Sequence, residues 1–307
     1  MLTPTHRVCH NVAPLYRLAD RSSEMVSQLI WGTPVSIQAS SGEYLEVVSD
    51  DTYSGWIRSA FVSPLSDDQD SAVTTVATLF GEVYSKPDPA AELLTRLTTC
   101  ARIVLSRKAT IDGFVPIDMS AGIVGYIHET QISLSYSSWL PIQKSSRVPA
   151  GDENKQFRRG LVRSLQLDRV KHSSLLFIGV PYLWGGTTPY GLDCSGFTQL
   201  SYKISGVQLF RDAHQQFGDR RFEPVNTPEG LTSSNLQRSD LIFFNSDVQQ
   251  PGRVTHVGLA LGDGRFIHAA GKGRGTIITP NTDREFTATF IGARRLKKTG
   301  NLSIDSA

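Results

Sequence analysis

The sequence predicts an α+β protein, in which two small all-β regions precede a larger domain with helices and an antiparallel sheet. Two regions, residues 8–65 and 73–134, are made of short apolar runs separated by turn residues. In the last half, an imperfect helical stripe is followed by three strand-like runs. The 307 residues, 39% of them hydrophobic, suffice for two or three modest cores.

Charge and hydropathy exclude several classes of protein. The formal net charge is only +2, which argues against a strongly basic nucleic-acid binder. No apolar run reaches the roughly 18 residues of a membrane span, and the N-terminus lacks the apolar segment of a secretory signal. We therefore expect no nucleic-acid partner, no membrane segment and a cytoplasmic location, or an exported protein if a leader has been removed.

The composition along the chain predicts four segments. They are a first β domain at 1–66, a second at 72–135, a linker at 136–152 and a larger domain at 153–300. The acidic, polar stretch 66–71 is typical of a solvated linker between the two β domains. A glycine-aromatic-isoleucine element occurs at 55–57 and again at 125–127, which indicates an internal repeat.

Apolar periodicity places the elements of the larger domain. A helical stripe of Leu161, Leu165, Val170, Leu175 and Ile178 stops before a proline, and a second helix covers 195–202. Strands are predicted at 240–244, 256–261 and 265–270.

Cys194 is the candidate nucleophile. It follows a glycine-bounded turn and begins the second helix, where the helix dipole and unpaired backbone N–H groups favour a thiolate. The same N–H groups can face an oxyanion. A buried structural thiol is the alternative, and it is the better interpretation for Cys9 and Cys100. The three cysteines lack the spacing of a zinc ribbon or a disulfide framework.

Two histidines supply the candidate base and its partner. The Gly262-Asp263-Gly264 turn predicts a hairpin that sets His256 and His268 directly opposite each other on one face. His256 would accept the thiol proton and His268 would orient its ring, although a lone histidine is more often structural. His6, Cys9 and His10 lack a nearby fourth ligand, so we expect neither a metal site nor an organic cofactor.

Together these motifs resemble the NlpC/P60 cysteine peptidases. The resemblance rests on Pro181-Tyr-Leu-Trp-Gly-Gly186, Gly191-Leu-Asp-Cys-Ser-Gly196, Thr255-His-Val-Gly258 and Phe266-Ile-His-Ala269, and it spans roughly residues 155–297. It implies a papain-like fold with Cys194 as nucleophile, His256 as base, His268 as third polar member and Tyr182 near the oxyanion. Ser239 and Ala213 depart from the family, which usually has glycine and a hydroxyl residue there.

The N-terminal half resembles bacterial SH3-like modules. The predicted architecture is thus a papain-like NlpC/P60 domain preceded by two small all-β SH3-like barrels, similar to the γ-D-glutamyl-L-diamino acid endopeptidases of cell-wall recycling. That resemblance implies that Glu24 and Tyr53 bind the free amine of an N-terminal L-alanine. Asp193 is a second candidate for the amine, and Ser195 and Trp184 complete the predicted substrate contacts. A solvated glutamate and a turn tyrosine are the plainer interpretation of the first pair.

The expected substrate is a murein tripeptide or tetrapeptide with a free N-terminal L-Ala, cut after D-glutamate. Three alternatives remain open at this point: an exported endopeptidase that cuts intact wall, a non-catalytic wall-binding protein, and an acyltransferase of the wider papain-like group. The sequence does not distinguish lysine from diaminopimelate as the diamino acid.

Overall fold

The computed structural model describes residues 3–65, 72–119, 122–133, 167–247, 249–250, 252–271 and 273–297. The chain divides into two compact units, Met1–Trp139 and Leu140–Ala307. None of the helices in the described ranges has the length and apolar character needed to cross a lipid bilayer. Both predicted linkers, 66–71 and 136–152, lie outside these ranges, and the division into domains at 1–66, 72–135 and 153–300 stays a prediction.

The first β region forms one seven-stranded antiparallel sheet of order β3-β2-β6-β5-β4-β1-β7. Its strands are β1 His6–Val8, β2 Val12–Tyr16, β3 Met25–Ile30, β4 Pro34–Ser41, β5 Tyr44–Ser49, β6 Ser54–Arg58 and β7 Val62–Pro64. In β2, Ala13 and Leu15 are fully buried while their neighbours are partly exposed, which is the alternation of a strand with one face on the core.

The second β region repeats the connectivity of the first. Its sheet has the order β10-β9-β13-β12-β11-β8. The strands are β8 Val73–Thr75, β9 Phe80–Tyr84, β10 Leu93–Thr98, β11 Arg102–Leu105, β12 Phe114–Asp118 and β13 Val124–His128. In the described residues, the two edge strands of each sheet are not bonded to one another, so both sheets are open and the closed SH3-like barrel stays a prediction.

The backbone confirms the internal repeat. The N–H of Gly32 donates to the carbonyl of Val8, and the N–H of Cys100 donates to the carbonyl of Val76 in the same way. Both residues have left-handed backbone, with φ of 76° and 66°. Cys100 therefore occupies the turn that glycine occupies in the first region, and it is buried there, as the sequence predicted.

Trp31 and Gly32 of the first β region pack directly against the second β region. Trp31 is buried in the core of the second region, although it belongs to the first. Its carbonyl accepts the N–H of Arg102 at 3.0 Å, and the Arg102 guanidinium reaches Asp50 at 2.6 Å. A Cβ on Gly32 would lie 2.1 Å from the Arg102 carbonyl oxygen, so the contact requires glycine.

The first element described in the second unit is a helix, α1, over residues 167–175. Val170 is fully buried, as the predicted stripe requires, whereas Leu161 and Leu165 lie outside the described residues. The stripe is wrong at Ile178, which is 51% exposed. The helix ends at residue 175 and tighter three-residue turns follow, which bury Phe177 instead.

One antiparallel sheet of order β16-β21-β17-β18-β19-β20 organises the rest of this unit, and β14 and β15 pair separately. The strands are β14 Thr187–Thr188, β15 Gly191–Leu192, β16 Phe222–Pro224, β17 Leu241–Phe244, β18 His256–Ala260, β19 Arg265–Ala270, β20 Gly275–Pro280 and β21 Phe290–Leu296. The helices are α2 Cys194–Lys203, α3 Ala213–Gly218 and α4 Arg284–Thr289. The predicted helix at 195–202 corresponds to α2, and the three predicted strands correspond to β17, β18 and β19.

Helix α2 packs on β18 and β19 and is buried along its length. Every residue from Cys194 to Tyr202 is buried. A helix enclosed in this way cannot leave its polar groups to water, so its end must be capped by the protein.

Ser239 stands where the resembled family usually has glycine, and its backbone adopts a conformation that glycine favours. Its φ is 69°, in the left-handed region that favours glycine. The Ser239 hydroxyl donates to the carbonyl of Leu167 at 2.7 Å, and its N–H donates to the carbonyl of Ala260 at 2.8 Å. These bonds hold a serine in a conformation that otherwise costs about 1 kcal/mol.

Replacing Gly32 by alanine should separate this close contact from simple backbone strain. Gly42 is a matched control, because its φ of 56° is also left-handed but no atom lies within 4 Å of a Cβ there. We expect Gly42→Ala to lower the free energy of unfolding by about 1 kcal/mol and Gly32→Ala by about 3 kcal/mol. Urea unfolding of the full chain, followed by circular dichroism, measures the free energy of unfolding of both variants. Equal losses in the two variants would contradict the requirement for glycine at the contact with Arg102.

Candidate active site

Cys194 lies at the first position of α2, behind an N-cap. The Asp193 carboxylate accepts the N–H of Gly196 at 2.7 Å and so satisfies one free donor of the first turn. Backbone N–H groups of Ser195 and Val257, the residue after His256, act to lower the pKa of the Cys194 thiol. Cys194 begins α2, which packs on β18, the strand that starts with His256.

Burial of Cys194 opposes the thiolate that the start of the helix favours, and the preference for a thiolate stays a prediction. Burial raises the pKa of the Cys194 thiol to about 12, and the negative charge of Asp193 acts in the same direction. The two backbone N–H groups and Arg211 lower this pKa, but their effect is smaller than that of burial.

Glycines in the loop before Cys194 permit close backbone packing. A Cβ on Gly196 would lie 2.1 Å from the carbonyl oxygen of Gly186, and one on Gly191 would lie 2.6 Å from the Cβ of Leu183. The glycine-rich surroundings of the cysteine therefore fix where α2 begins.

His256 and His268 form a hydrogen-bonded pair. The Nε2 of His256 is 2.8 Å from the Nδ1 of His268, and the rings meet edge to face with their centroids 5.0 Å apart. His268 is fully buried. Burial is the main cause that lowers the pKa of His256 to about 4 and that of His268 to about 2. The positive charge of Arg274 contributes to both shifts, and the charge of His256 contributes to that of His268.

The hairpin brings the two imidazoles together, but not as direct opposites. Leu259 pairs with Ile267, and the continued register sets Gly258 across from His268. A Cβ on Gly258 would lie 3.2 Å from the Cβ of His268. The predicted direct pairing is therefore wrong by two residues, while the prediction of one shared face is correct. His256 reaches His268 diagonally over the glycine.

An aromatic shell surrounds the pair. Phe286 lies 4.8 Å from His268 and 6.1 Å from His256 between ring centroids, and Phe266 lies 4.9 Å from His268. Phe244 lies 5.9 Å from His256. Apolar rings on several sides reduce the contact of the imidazoles with water, completely for His268 and partly for His256, and this loss of hydration lowers their pKa values.

Asp193 holds a buried ion pair with Arg211. The guanidinium binds both carboxylate oxygens, and the two side chains are 2% and 10% exposed. The same carboxylate accepts the N–H of Gly185 at 3.0 Å and the hydroxyl of Ser195 at 3.2 Å, and Arg211 also donates to the Ser195 hydroxyl oxygen at 3.0 Å. The two predicted substrate contacts Asp193 and Ser195 are thus brought together, and their roles toward substrate stay predictions.

Two further residues complete this network and were not predicted from the sequence. The Gln216 side chain donates to the carbonyls of Ser195 and Phe210 and accepts the hydroxyl of Thr198 at 2.8 Å. Gln216 and Arg211 belong to the segment 211–216, whose likeness to the family was the available signal. Ala213, where the resembled family usually has a hydroxyl residue, is the first residue of α3, and Asp212 caps this helix.

Tyr182 and Trp184 lie on the loop before α2. Tyr182 is bridged to Leu192, and burial together with the negative charges of Cys194 and Asp193 raises the pKa of its hydroxyl. Tyr182 therefore lies in the electrostatic environment of the thiol, and its role near the oxyanion stays a prediction. Trp184 is 62% exposed, and its contact with substrate stays a prediction.

Glu24 and Tyr53 belong to the first unit. Glu24 directly precedes β3, and its carboxylate, 36% exposed, forms a 2.6 Å ion pair with Arg17. Tyr53 precedes β6, packs against the core of the first β region and donates its N–H to Asp51. Their proposed binding of an amine stays a prediction.

The described residues contain no group of three or more histidine, cysteine, aspartate or glutamate side chains arranged to hold a metal ion. His6 contacts the Thr5 hydroxyl, and the His10 ring stacks on Phe61 with centroids 4.2 Å apart. Cys9 is half-buried, with its sulfur near the carbonyl of Ala60.

Comparison with known proteins matches residues 179–295 to the NlpC/P60 family. The chain is 31% identical over 163 residues to a gamma-D-glutamyl-L-lysine dipeptidyl-peptidase of Bacillus cereus, covering 53% of this chain and 46% of that protein. It is 27% identical over 268 residues to dipeptidyl-peptidase 6 of Lysinibacillus sphaericus, covering 84% and 85%. It is 34% identical over 121 residues to the murein DD-endopeptidase MepH of Escherichia coli, covering 39% and 42%. The chain thus spans about half the length of the first of these relatives.

The fold is shared with a solved structure. A crystal structure of an NlpC/P60 family protein from Bacillus cereus has a TM-score of 0.73 and 21% identity, covering 95% of this chain and 99% of that one. The predicted papain-like fold of the larger domain is confirmed. Residues 179–295, which contain the cysteine, the histidine pair and the capped helix, form a domain of the NlpC/P60 family.

Proposed function

We propose that this chain hydrolyses the γ-D-glutamyl–diamino acid bond of murein peptides that carry a free N-terminal L-alanine, as part of cytoplasmic peptidoglycan recycling. The observation that carries the proposal is the thiol of Cys194 at the start of buried helix α2, beside the strand that begins with His256. The names of two relatives, a gamma-D-glutamyl-L-lysine dipeptidyl-peptidase and a dipeptidyl-peptidase 6, support the choice of bond.

In the proposed reaction, the Cys194 sulfur attacks the γ-amide carbonyl carbon as its proton passes to His256. The oxyanion is stabilised by the Tyr182 hydroxyl and by N–H groups of the first turn of α2. His256 then gives the proton to the leaving amine, and a thioester remains. Water attacks the thioester while His256 accepts its proton, which releases the acid and restores the thiol.

Recognition of the free amine belongs to the same proposal. In it, the two β regions are SH3-like barrels, and Glu24 and Tyr53 of the first one bind the ammonium group. The partly exposed Glu24 carboxylate supports this, because it can accept a further charge-assisted hydrogen bond beside Arg17. Asp193, Ser195 and Trp184 would contact the substrate nearer the thiol.

Cleavage of two matched peptides tests the proposal. We expect the wild-type chain to release L-Ala-D-Glu from L-Ala-γ-D-Glu-diaminopimelate and to leave the N-acetylated peptide uncut, because acetylation removes the ammonium and leaves polar groups unpaired. Mass spectrometry identifies the products, the lysine peptide gives the diamino acid preference, and Cys194→Ala should be inactive on both.

Other outcomes of that experiment identify the competing functions. Equal cleavage of both peptides would refute the amine requirement while leaving the thiol mechanism intact. Cleavage of intact sacculi with neglect of free peptides would favour a wall-lytic endopeptidase, the function named for the Escherichia coli relative MepH. No cleavage of either, with wall binding retained in Cys194→Ala, would favour a binding protein, and transfer to an added amine would favour an acyltransferase.

Glu24→Gln should weaken selection of the free amine. Because a hydrogen bond to a charged group is lost, we expect kcat/KM for the free-amine peptide to fall about tenfold. The internal repeat supplies a matched control, since Glu92 accepts the N–H of Ser85 through its carbonyl just as Glu24 accepts that of Arg17. Glu92→Gln should leave kcat/KM unchanged, and equal effects of both variants would contradict the assignment.

As the pH is lowered, activity should be lost at a pH below the ordinary pKa of histidine. His256 must be uncharged to accept the thiol proton, and burial lowers its pKa to about 4. We therefore expect kcat/KM to persist as the pH falls through 6.5, the ordinary histidine value, and to be lost only as the pH approaches 4. A pH profile of kcat/KM with the tripeptide measures this, and a midpoint at or above 6.5 would contradict it.

A further inference from the structure

We propose that Thr279 is a positioning residue, whose hydroxyl accepts the Nε2–H of His268 and thereby fixes the tautomers of both histidines for proton transfer. The inference rests on the proposed thiol reaction and extends it by one residue. Thr279 lies on β20, and a β-branched residue in a strand gives no sign of this role in the sequence.

The hydrogen bonds form a chain of three side chains. The Nε2 of His256 is 2.8 Å from the Nδ1 of His268, and the Nε2 of His268 is 3.0 Å from the Oγ1 of Thr279. Both ring nitrogens of His268 are therefore engaged. Only the Nδ1 of His256 is left to take the proton of Cys194.

The reaction sets the direction of these bonds. As a base toward the thiol, His256 must have an unprotonated Nδ1, so its proton is on Nε2. That Nε2–H needs an acceptor, which is the unprotonated Nδ1 of His268. The proton of neutral His268 is then on its Nε2 and needs an acceptor in turn, which is the hydroxyl of Thr279. The opposite tautomers would point an N–H of His256 at the thiol.

The surroundings of the sulfur favour the same direction. Backbone N–H groups of Ser195 and Val257 lower the pKa of the Cys194 thiol, so they favour a sulfur that accepts hydrogen bonds. The proton of the thiol then needs a different acceptor, which an unprotonated His256 Nδ1 supplies. An imidazolium on His256 would also require an acceptor at the Nδ1 of His268.

Position and burial make Thr279 suited to this role. Thr279 is 6% exposed and lies opposite Phe266, while Ile277 lies opposite His268, so Thr279 is the diagonal neighbour of the buried imidazole. The rings of Phe266 and Phe286 keep water from the Nε2–H of His268. A buried N–H that loses its acceptor is costly, so the hydroxyl can bias the tautomer.

The charged side chains that act on His256 and His268 do not replace the hydrogen bond between His268 and Thr279. Arg274 acts on both histidines and Asp193 acts on His256. The described hydrogen bonds of His268 go to His256 and Thr279, and neither partner is a carboxylate. Uncharged partners orient the imidazoles without stabilising a lasting positive charge on them.

Three variants of the full chain test the inference. Thr279→Val removes the hydroxyl and keeps the shape, and Thr279→Ser restores an acceptor. Thr276→Val is the matched control, because the Thr276 hydroxyl on the same strand is buried without a hydrogen-bond partner. We expect Thr279→Val to lower kcat for the tripeptide about tenfold with KM unchanged, and Thr279→Ser and Thr276→Val to retain wild-type kcat.

A spectroscopic readout is independent of activity. In ¹⁵N spectra of imidazole-labelled chain near neutral pH, wild type, Thr279→Ser and Thr276→Val should show Nε2–H tautomers for His256 and His268, and Thr279→Val should show a shift toward Nδ1–H. Unchanged tautomers in Thr279→Val, or equal loss of kcat in Thr279→Val and Thr279→Ser, would overturn the inference. If no variant cleaves the peptide, the proposed substrate is wrong, while the spectra still decide whether Thr279 sets the tautomer.

Discussion

The buried ion pair between Asp193 and Arg211 is the interaction on which the site depends. Burying α2 leaves its first-turn N–H groups without water, and the Asp193 carboxylate satisfies that of Gly196 while also holding Gly185. A carboxylate so far from water requires a partner, which the two nitrogens of Arg211 provide. Removing either partner would leave an uncompensated charge beside Cys194 and would lower the free energy of unfolding by about 3 to 5 kcal/mol.

The position of His256, the proposed base, depends on a different constraint, the absence of a side chain at Gly258. Diagonal neighbours in a sheet lie farther apart than direct opposites, and they meet only when the position between them is open. Gly258 leaves that position open, so the ring of His256 can reach His268 at 2.8 Å. The glycine in the Thr-His-Val-Gly motif is therefore part of the geometry of the imidazole pair.

Local signals in the sequence predicted the parts of this site that are local in the fold. The turn before Cys194, the helix after it and the two-strand hairpin follow from short stretches of chain. The register of that hairpin was wrong by two residues, because the turn is centred on Asp263 and not on Gly262. The N–H of Leu261 donates to the carbonyl of Arg265, and Gly262 and Gly264 on either side of Asp263 both adopt left-handed backbone. The partner of Asp193 is 18 residues away in sequence and that of His268 is 11, and no periodicity indicates either pairing.

The fold was predictable to a similar extent. The glycine-aromatic-isoleucine repeat identified two related β regions, and the structure shows the same backbone bonds at Gly32 and Cys100. Their mutual packing through Trp31 was not predicted, because a tryptophan in a small β region is equally suited to its own core. The helical stripe failed at Ile178 because helix geometry ended three residues earlier.

The ionisation of the site follows from a competition between two effects of the same helix. The dipole and free N–H groups at the start of α2 favour a thiolate, with a worth of about 0.3 to 2 kcal/mol. Burial of the same helix end disfavours any charge there, and it moves the thiol pKa to about 12 and the His256 pKa to about 4. Desolvation wins in the free protein, since each pKa unit corresponds to about 1.4 kcal/mol. In the proposed reaction, charge therefore develops at the thiol together with bond formation to the substrate, where the oxyanion and its donors first supply a compensating partner.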